Sequence, residues 1–316
     1  MAVPVSTHQR NLIPVSGLPD SRYSRVAHVM GRDWALSYLF LLPMLAVLLG
    51  LIAYPFFSAI WLSMNSKMIG GEGHFIGLAN YQKLLGNVQF HSAALNSAIY
   101  TLAGVGIKLI VGMIAALALN EALRPVSLWR MLLFLPWSIP VVISAYTWRW
   151  IYDDLSGVLS QTLLQVGLAD HYILWLADLN LALKSVIGVV VWQGTPFYIM
   201  NFLAGMAAIP TELYEAAAID GAGPVRRYLS ITLPNLMPVI IIVALLSTIW
   251  TSNDMQFVYV LTGGGPQGAT EIFPHLAYTT AIEIKNLGLG ATIPLMFFPF
   301  LAVVIFFLTR QMLREE

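Results

Sequence analysis

Six stretches of this chain are apolar for long enough to cross a bilayer: residues 35–62, 94–119, 128–151, 183–207, 236–260 and 288–309. A span needs about 20 apolar residues to cover about 30 Å of hydrocarbon. Inside lipid every backbone polar group must find its partner within the protein, so each stretch is expected to be a helix. The expected fold is all-α and integral to the membrane, with six transmembrane helices. Pro43, Pro55, Pro136, Pro140, Pro196, Pro294 and Pro299 fall within the spans. Membrane helices tolerate proline where neighbours satisfy the freed carbonyls, so kinks are expected.

Between the spans the pattern turns polar. Residues 1–33 carry Pro4, Pro14 and Pro19 with four arginines and read as a tail. Residues 65–92 contain FIGLANYQKLLGN, a connection with one short helix. Residues 152–182, with Asp153, Asp154, Asp170 and Asp178, form a mildly acidic region expected to hold one or two short surface helices. Residues 261–287 open LTGGGPQGAT, where Thr262 to Pro266 predict a tight, irregular loop.

The most distinctive polar segment is ELYEAAAIDGAGPVRRYLSITLPNLMP, Glu212 to Pro238, between the fourth and fifth spans. It reads as two short helices joined at a glycine elbow on the membrane surface. Thr211 or Pro210 opens the first helix, and Glu212 and Glu215 suit its positive N-terminal end. Gly221 is placed to leave that helix in a left-handed conformation. Pro224 suits the first position of the second helix, and Pro234 and Pro238 are expected to close it.

Composition narrows the function classes. The 316 residues are 58% hydrophobic and 10% charged, against about 25% charged in soluble domains. Net charge is zero, which offers nothing to nucleic acid. The absence of cysteine excludes disulfides, thiolate metal sites and cysteine nucleophiles. Six scattered histidines give no metal-ligand cluster. The apolar run from Trp34 to about Met64 is too long for a signal-peptide core, so it reads as a membrane anchor. With the N-terminus inside, Arg10, Arg22, Arg25, Arg32, Arg124, Arg130, Arg226, Arg227, Arg310 and Arg314 are all cytoplasmic, while Lys67, Lys83, Lys184 and Lys285 are outside. This is the positive-inside pattern. Six spans then return the C-terminus to the cytoplasm, and the polar 211–234 loop lies there too.

Glu215-Ala216-Ala217, Gly221 six residues on, Ile231 and Leu233-Pro234 resemble the EAA loop of ABC-importer permeases. Tyr54-Pro55, Phe75 to Tyr81, Asn96 with Tyr100-Thr101, and Leu261 to Pro266 resemble one branch of them, the carbohydrate-uptake permeases of the maltose and glycerol-3-phosphate type. The resemblance covers about residues 35–310 and points to the shorter, six-span members. It implies a prokaryotic inner-membrane subunit importing a sugar-like solute by alternating access. The implied partners are a second permease, two ATPase subunits at the cytoplasmic face and an external solute-binding protein. ATP and magnesium would sit on the ATPase, and this chain would hold no cofactor. The docking contacts it implies are Glu212, Tyr214, Glu215, Ala216, Ala217, Asp220, Gly221, Arg226 and Arg227.

No residue arrangement here does covalent chemistry. Gly263-Gly264-Gly265 lacks the lysine and hydroxyl of a phosphate loop, so with Pro266 it is either a flexible outer connection or, by the resemblance, a feature near solute entry. Polar residues within spans are functional hypotheses by default. Lys108 lies mid-way along the second span. Trp250, Asn253, Asp254 and Phe257 at i, i+3, i+4 and i+7 predict one shared helix face. Trp192, Gln193, Tyr198 and Asn201 predict a similar lining on the fourth span, and Tyr146 lies towards the outer end of the third. An aromatic beside amide and carboxylate groups suits a sugar ring and its hydroxyls. The alternatives are a structural Lys108–Asp254 ion pair, interhelical hydrogen bonds from Gln193 and Asn201, and an interfacial belt of Trp148, Arg149 and Trp150. The rival functions are an ion-coupled secondary transporter and an intramembrane enzyme.

Overall fold

The computed structural model describes residues 33–120 and 126–312. The expected N-terminal tail, Arg124 and Arg314 lie outside these residues. The chain divides into two units, residues 1–58 and 59–316. Among the described residues five helices are long and apolar enough to cross a membrane, or six if one sharply bent pair counts as a single span. With the bent pair counted as one span, the number is the six expected.

The first unit is the greater part of the first span. Helix Asp33–Val47 runs through Pro43 without ending, then widens into a π-helical stretch, Leu48–Ala53. The Tyr54 N–H reaches back to the Leu49 carbonyl, and the ordinary ladder resumes around Pro55, a residue that brings no donor of its own. No residue from Leu39 to Ser58 is buried. This is an apolar surface without a polar side, as a lipid-facing helix requires.

The second unit is built around the fourth span, Ala182–Ala207, which carries the highest buried share of any span. It packs along the second span, Val88–Asn120. That helix starts six residues before its expected beginning because Asn87 caps it. Asn87 Oδ1 accepts from the Gln89 N–H at 2.8 Å and the Phe90 N–H at 3.3 Å. The two helices meet at Gly112, where a Cβ would lie 2.5 Å from the Tyr198 Cβ. In lipid the hydrophobic effect does little to join helices, so close packing over small residues must do it. Met113, Tyr198, Phe202 and Leu236 form the core there.

Two spans are interrupted. The third consists of Val126–Ser138 and Val141–Ile151, bent by 95°. This is far more than the expected kink. Pro140 drives the preceding residue out of the helical region and cannot donate. The fifth runs unbroken from Pro224 to Asn253, then breaks at Asp254 and resumes as Gln256–Leu261. The sixth span is Leu287–Met312.

The connections agree with their expected character. A short helix, Ala79–Leu85, follows a two-residue hairpin ladder of Asn65–Ser66 with His74–Phe75. Helix Val158–Gln165 lies in the acidic segment. Just ahead of it Asp153 accepts from the Ser156 hydroxyl and from the Ser156 and Leu155 N–H groups. These bonds hold its carboxyl below the ordinary value.

Candidate functional site

The loop between the fourth and fifth spans keeps the expected elbow. Its first helix is Thr211–Ile219, with Glu212 in the first turn. Neither Thr211 nor Pro210 caps it through a side chain. It ends with the Gly221 N–H on the Ala218 carbonyl (3.1 Å) and the Ala222 N–H on the Ala217 carbonyl (2.9 Å). Gly221 has φ +74°, the left-handed conformation that this closure requires. Pro224 then opens the next helix at its first turn.

That second helix is not short. Pro224–Arg227 passes through a π-helical turn, Tyr228–Thr232, directly into Leu233–Asn253. Pro234 and Pro238 therefore do not close it. Pro234 stands in the first turn of the renewed α-helix, just past the π turn, and the Asn235 side chain donates to the Ile231 carbonyl at 2.7 Å.

Among the loop residues, Glu212, Glu215, Ala216, Asp220, Gly221 and Arg226 are exposed, with Ile219 87% and Val225 72% exposed beside them. Tyr214, Ala217 and Arg227 are partly covered. Arg227 Nε donates to the Ala222 carbonyl at 3.0 Å and braces the elbow. The Tyr214 hydroxyl meets Thr232 Oγ1 at 3.0 Å. The exposed face combines acidic, basic and apolar groups.

At the far end of the fifth span lies a cleft of about 650 Å³. The breaks in the third and fifth spans both border it, at Ser138 to Val141 and at Asn253 to Gln256. Gln193 Nε2 donates to the Ile139 carbonyl at 2.9 Å and so repairs the first break. Asp254 Oδ1 accepts from the Gln256 N–H at 2.9 Å and starts the helix after the second. Lys108 is 4% exposed, and its Nζ donates to Thr251 Oγ1 at 2.8 Å. Gly194 leaves the room it needs: a Cβ there would lie 2.8 Å from Lys108 Cδ.

Seven of the expected path residues line this cleft: Lys108, Gln193, Tyr198, Trp250, Asn253, Asp254 and Phe257. The reason differs from the expected one for the last group. The helix ends at Asn253 and Asp254 is extended (φ −83°, ψ 114°), so the shared helix face does not continue to Phe257. The break, not the helical repeat, brings these residues together. Three residues fall elsewhere. Tyr146 is exposed, Trp192 packs edge-on against Trp148, and Asn201 donates to the Phe197 carbonyl of its own helix. Among the described residues no ion pair joins Lys108 to Asp254; the buried acid–histidine contact is the Glu271–His275 hydrogen bond.

A family model described as a binding-protein-dependent transport system inner membrane component matches residues 108–313. The chain belongs to that family. The permease is 36% identical over 268 residues to the trehalose/maltose transport system permease protein MalF of Thermococcus litoralis, across 84% of its own length and 90% of the relative's. It is 31% identical over 299 residues to the diacetylchitobiose uptake system permease protein DasB of Streptomyces coelicolor, across 92% and 90% of the two chains. Its fold matches a bacterial alginate ABC transporter crystallised in complex with an alginate pentasaccharide-bound periplasmic protein. The TM-score is 0.75 at 21% identity, over 90% of the permease and 96% of that chain. The permease is a multi-pass inner-membrane subunit of a binding-protein-dependent ABC importer. The secondary-transporter and intramembrane-enzyme readings fall away with that membership.

The glycine-rich segment of the permease is packed rather than a flexible connection. Gly263 (φ +59°), Gly264 (φ +81°) and a cis Gly265–Pro266 bond turn the chain tightly. Thr270, fully buried, donates to the Gly265 carbonyl at 2.7 Å, and Asn96 Nδ2 donates to the Gly268 carbonyl at 3.1 Å. Below it Glu271 and His275 meet at 2.6 Å, both buried. Sequence reading missed this pair. Its i, i+4 spacing was visible, but nothing in the pattern marked the segment as interior. The same holds for Ser247 and Thr251, small hydroxyl residues whose place on the cleft depends on neighbouring spans.

Proposed function

We propose that the permease walls one half of the passage of an ATP-driven importer for a sugar or sugar-like solute, working by alternating access. The observation that carries this reading is the unbroken fifth span. It starts in the exposed loop at Pro224 and ends at the cleft with Trp250, Thr251 and Asn253. Its 30 residues reach about 45 Å at 1.5 Å per residue. A movement that reaches its regular stretch, Leu233–Asn253, is thereby carried to the cleft. An ATPase dimer holding ATP and magnesium docks on Glu212, Glu215, Ala216, Ala217, Asp220, Gly221 and Arg226 at the cytoplasmic face. A second permease completes the passage, and a solute-binding protein delivers the cargo outside. Both termini are cytoplasmic in this arrangement.

The cargo class rests on two supports. Relatives are named for trehalose/maltose and diacetylchitobiose transport. The cleft sets Trp137, Phe197 and Trp250 beside Lys108, Gln193, Asn253 and Asp254. Aromatic faces pack against the C–H face of a sugar ring while the polar groups hold hydroxyls.

The test is a mild-detergent pull-down of the permease from its native membrane. Stoichiometric recovery of an ATPase and a second permease, lost in Glu215→Lys, supports the reading. Recovery of the chain alone, active after reconstitution, overturns it.

Lys108→Met tests the cleft. Losing a charged donor is expected to cut uptake of whichever sugar-like solute the wild type carries by about tenfold or more. Membrane level should stay near wild type, because Asp254 has its own partner in the Gln256 N–H. Loss of the protein, restored by adding Asp254→Asn, would reveal the ion pair after all.

A further inference from the structure

We infer that the Tyr214 hydroxyl, bonded to Thr232, is the strut that carries movement of the docking helix into the fifth span. The inference rests on the docking reading above. It begins with how lightly helix Thr211–Ile219 is held. None of its nine residues is buried, so core packing does not fix it. The ties of the elbow are local: Gly221 to Ala218, Ala222 to Ala217, and Arg227 to Ala222. Among the described residues, the side-chain hydrogen bond that leaves this helix for a span is Tyr214 to Thr232, at 3.0 Å over eighteen positions of sequence.

Where the strut lands decides what it does. A push on the docking helix has two routes to the cleft. Along the chain it must pass the Gly221–Gly223 elbow and then the π turn Tyr228–Thr232. Both yield under load: glycines have the freest backbone, and a π turn is a local departure from the regular α ladder. Thr232 is the last residue of that turn, 5% exposed, immediately before Leu233–Asn253. Tyr214 therefore bypasses the elbow and all but the last residue of the π turn, and engages the chain where the regular helix starts. The far end of that helix carries Trp250, Thr251 and Asn253 on the cleft, and Thr251 holds Lys108 of the second span. Tyr214 and Thr232 are positioning residues, acting through the fifth span rather than on any solute.

The chain contains no cysteine, so an introduced pair gives this subunit its only two labelling sites, and the permease is labelled before assembly with its partners. Ser138→Cys and Asn253→Cys lie on the two breaks that border it. Spin labels on this pair, in the assembled importer in lipid nanodiscs, are measured with and without Mg-ATP and vanadate. The wild-type background should shift its label separation. Thr232→Val should still recover the ATPase, yet the ratio of shifted to unshifted molecules should fall about three- to tenfold, the worth of one hydrogen bond. Tyr214→Phe should give the same fall, the double variant no further fall, and Thr232→Ser a normal shift. A full shift in Thr232→Val, multiplied losses in the double variant, or no rescue by Thr232→Ser would each overturn the strut. Failure of the wild type itself to recover an ATPase would overturn the docking reading, and the strut with it.

Discussion

Gly221→Val is expected to abolish coupling between ATP hydrolysis and transport while leaving the permease in the membrane. Gly221 has φ +74°, and a Cβ there would meet nothing within 4 Å. The penalty is therefore conformational rather than steric crowding. A left-handed conformation costs an ordinary residue about 1–2 kcal/mol, and a β-branched one more. An exposed helix with no buried residue has little packing with which to resist that cost. The closing bonds to Ala217 and Ala218 should open, and the docking face should lose its shape. The measurement is ATPase recovery in the pull-down, with permease level by immunoblot alongside. Gly223→Ala is the control, since Gly223 is extended (φ −70°, ψ 170°) with equally open surroundings. Normal ATPase recovery by Gly221→Val, or equal damage from Gly223→Ala, would remove the elbow from the mechanism.

Gly264→Val is expected to have the largest effect on stability. Here both penalties apply. Gly264 has φ +81°, and a Cβ would lie 2.5 Å from Glu271 Oε2 and 3.1 Å from His275 Cε1. Glu271 cannot easily withdraw, because its other oxygen holds His275. Backbone strain and overpacking together should cost about 4 kcal/mol. Thermal unfolding of the detergent-solubilised permease should move down sharply, and the yield should drop. Gly263→Ala, at φ +59° with nothing near its Cβ, should cost only about 1 kcal/mol. Adding Glu271→Ala to Gly264→Val should recover part of the loss. No recovery would mean that strain in the loop, rather than the buried Glu271–His275 pair, sets the cost.

Particular residues show why some features were legible and others were not. Gly221 and Pro224 could be read directly because the turn they make is local, and few residue types satisfy it. Helix existence was equally clear, since in lipid an apolar run of this length has no other structure available. Helix ends were less clear. The second span begins at Val88 rather than 94 because the Asn87 side chain captures its first N–H groups. The fifth starts at Pro224 because a π turn carries the helix into the segment of Pro234 and Pro238.

By itself the sequence determined that this is a multi-span helical membrane protein with a glycine-elbowed loop, and it carried the residues of an ABC-importer permease. Each of these rests on runs or motifs of adjacent residues, whose energetics are set within a few turns of chain. Only the tertiary structure decided which polar residues meet. Lys108 bonds Thr251 rather than Asp254, Gln193 repairs the break at Ile139, and Tyr214 reaches Thr232. The cleft exists because the third and fifth spans break beside one another and bring residues from both breaks to one surface with side chains of the fourth. Such contacts depend on how helices are rotated and shifted against each other. Close packing over positions such as Gly112 sets that arrangement, and no local pattern encodes it.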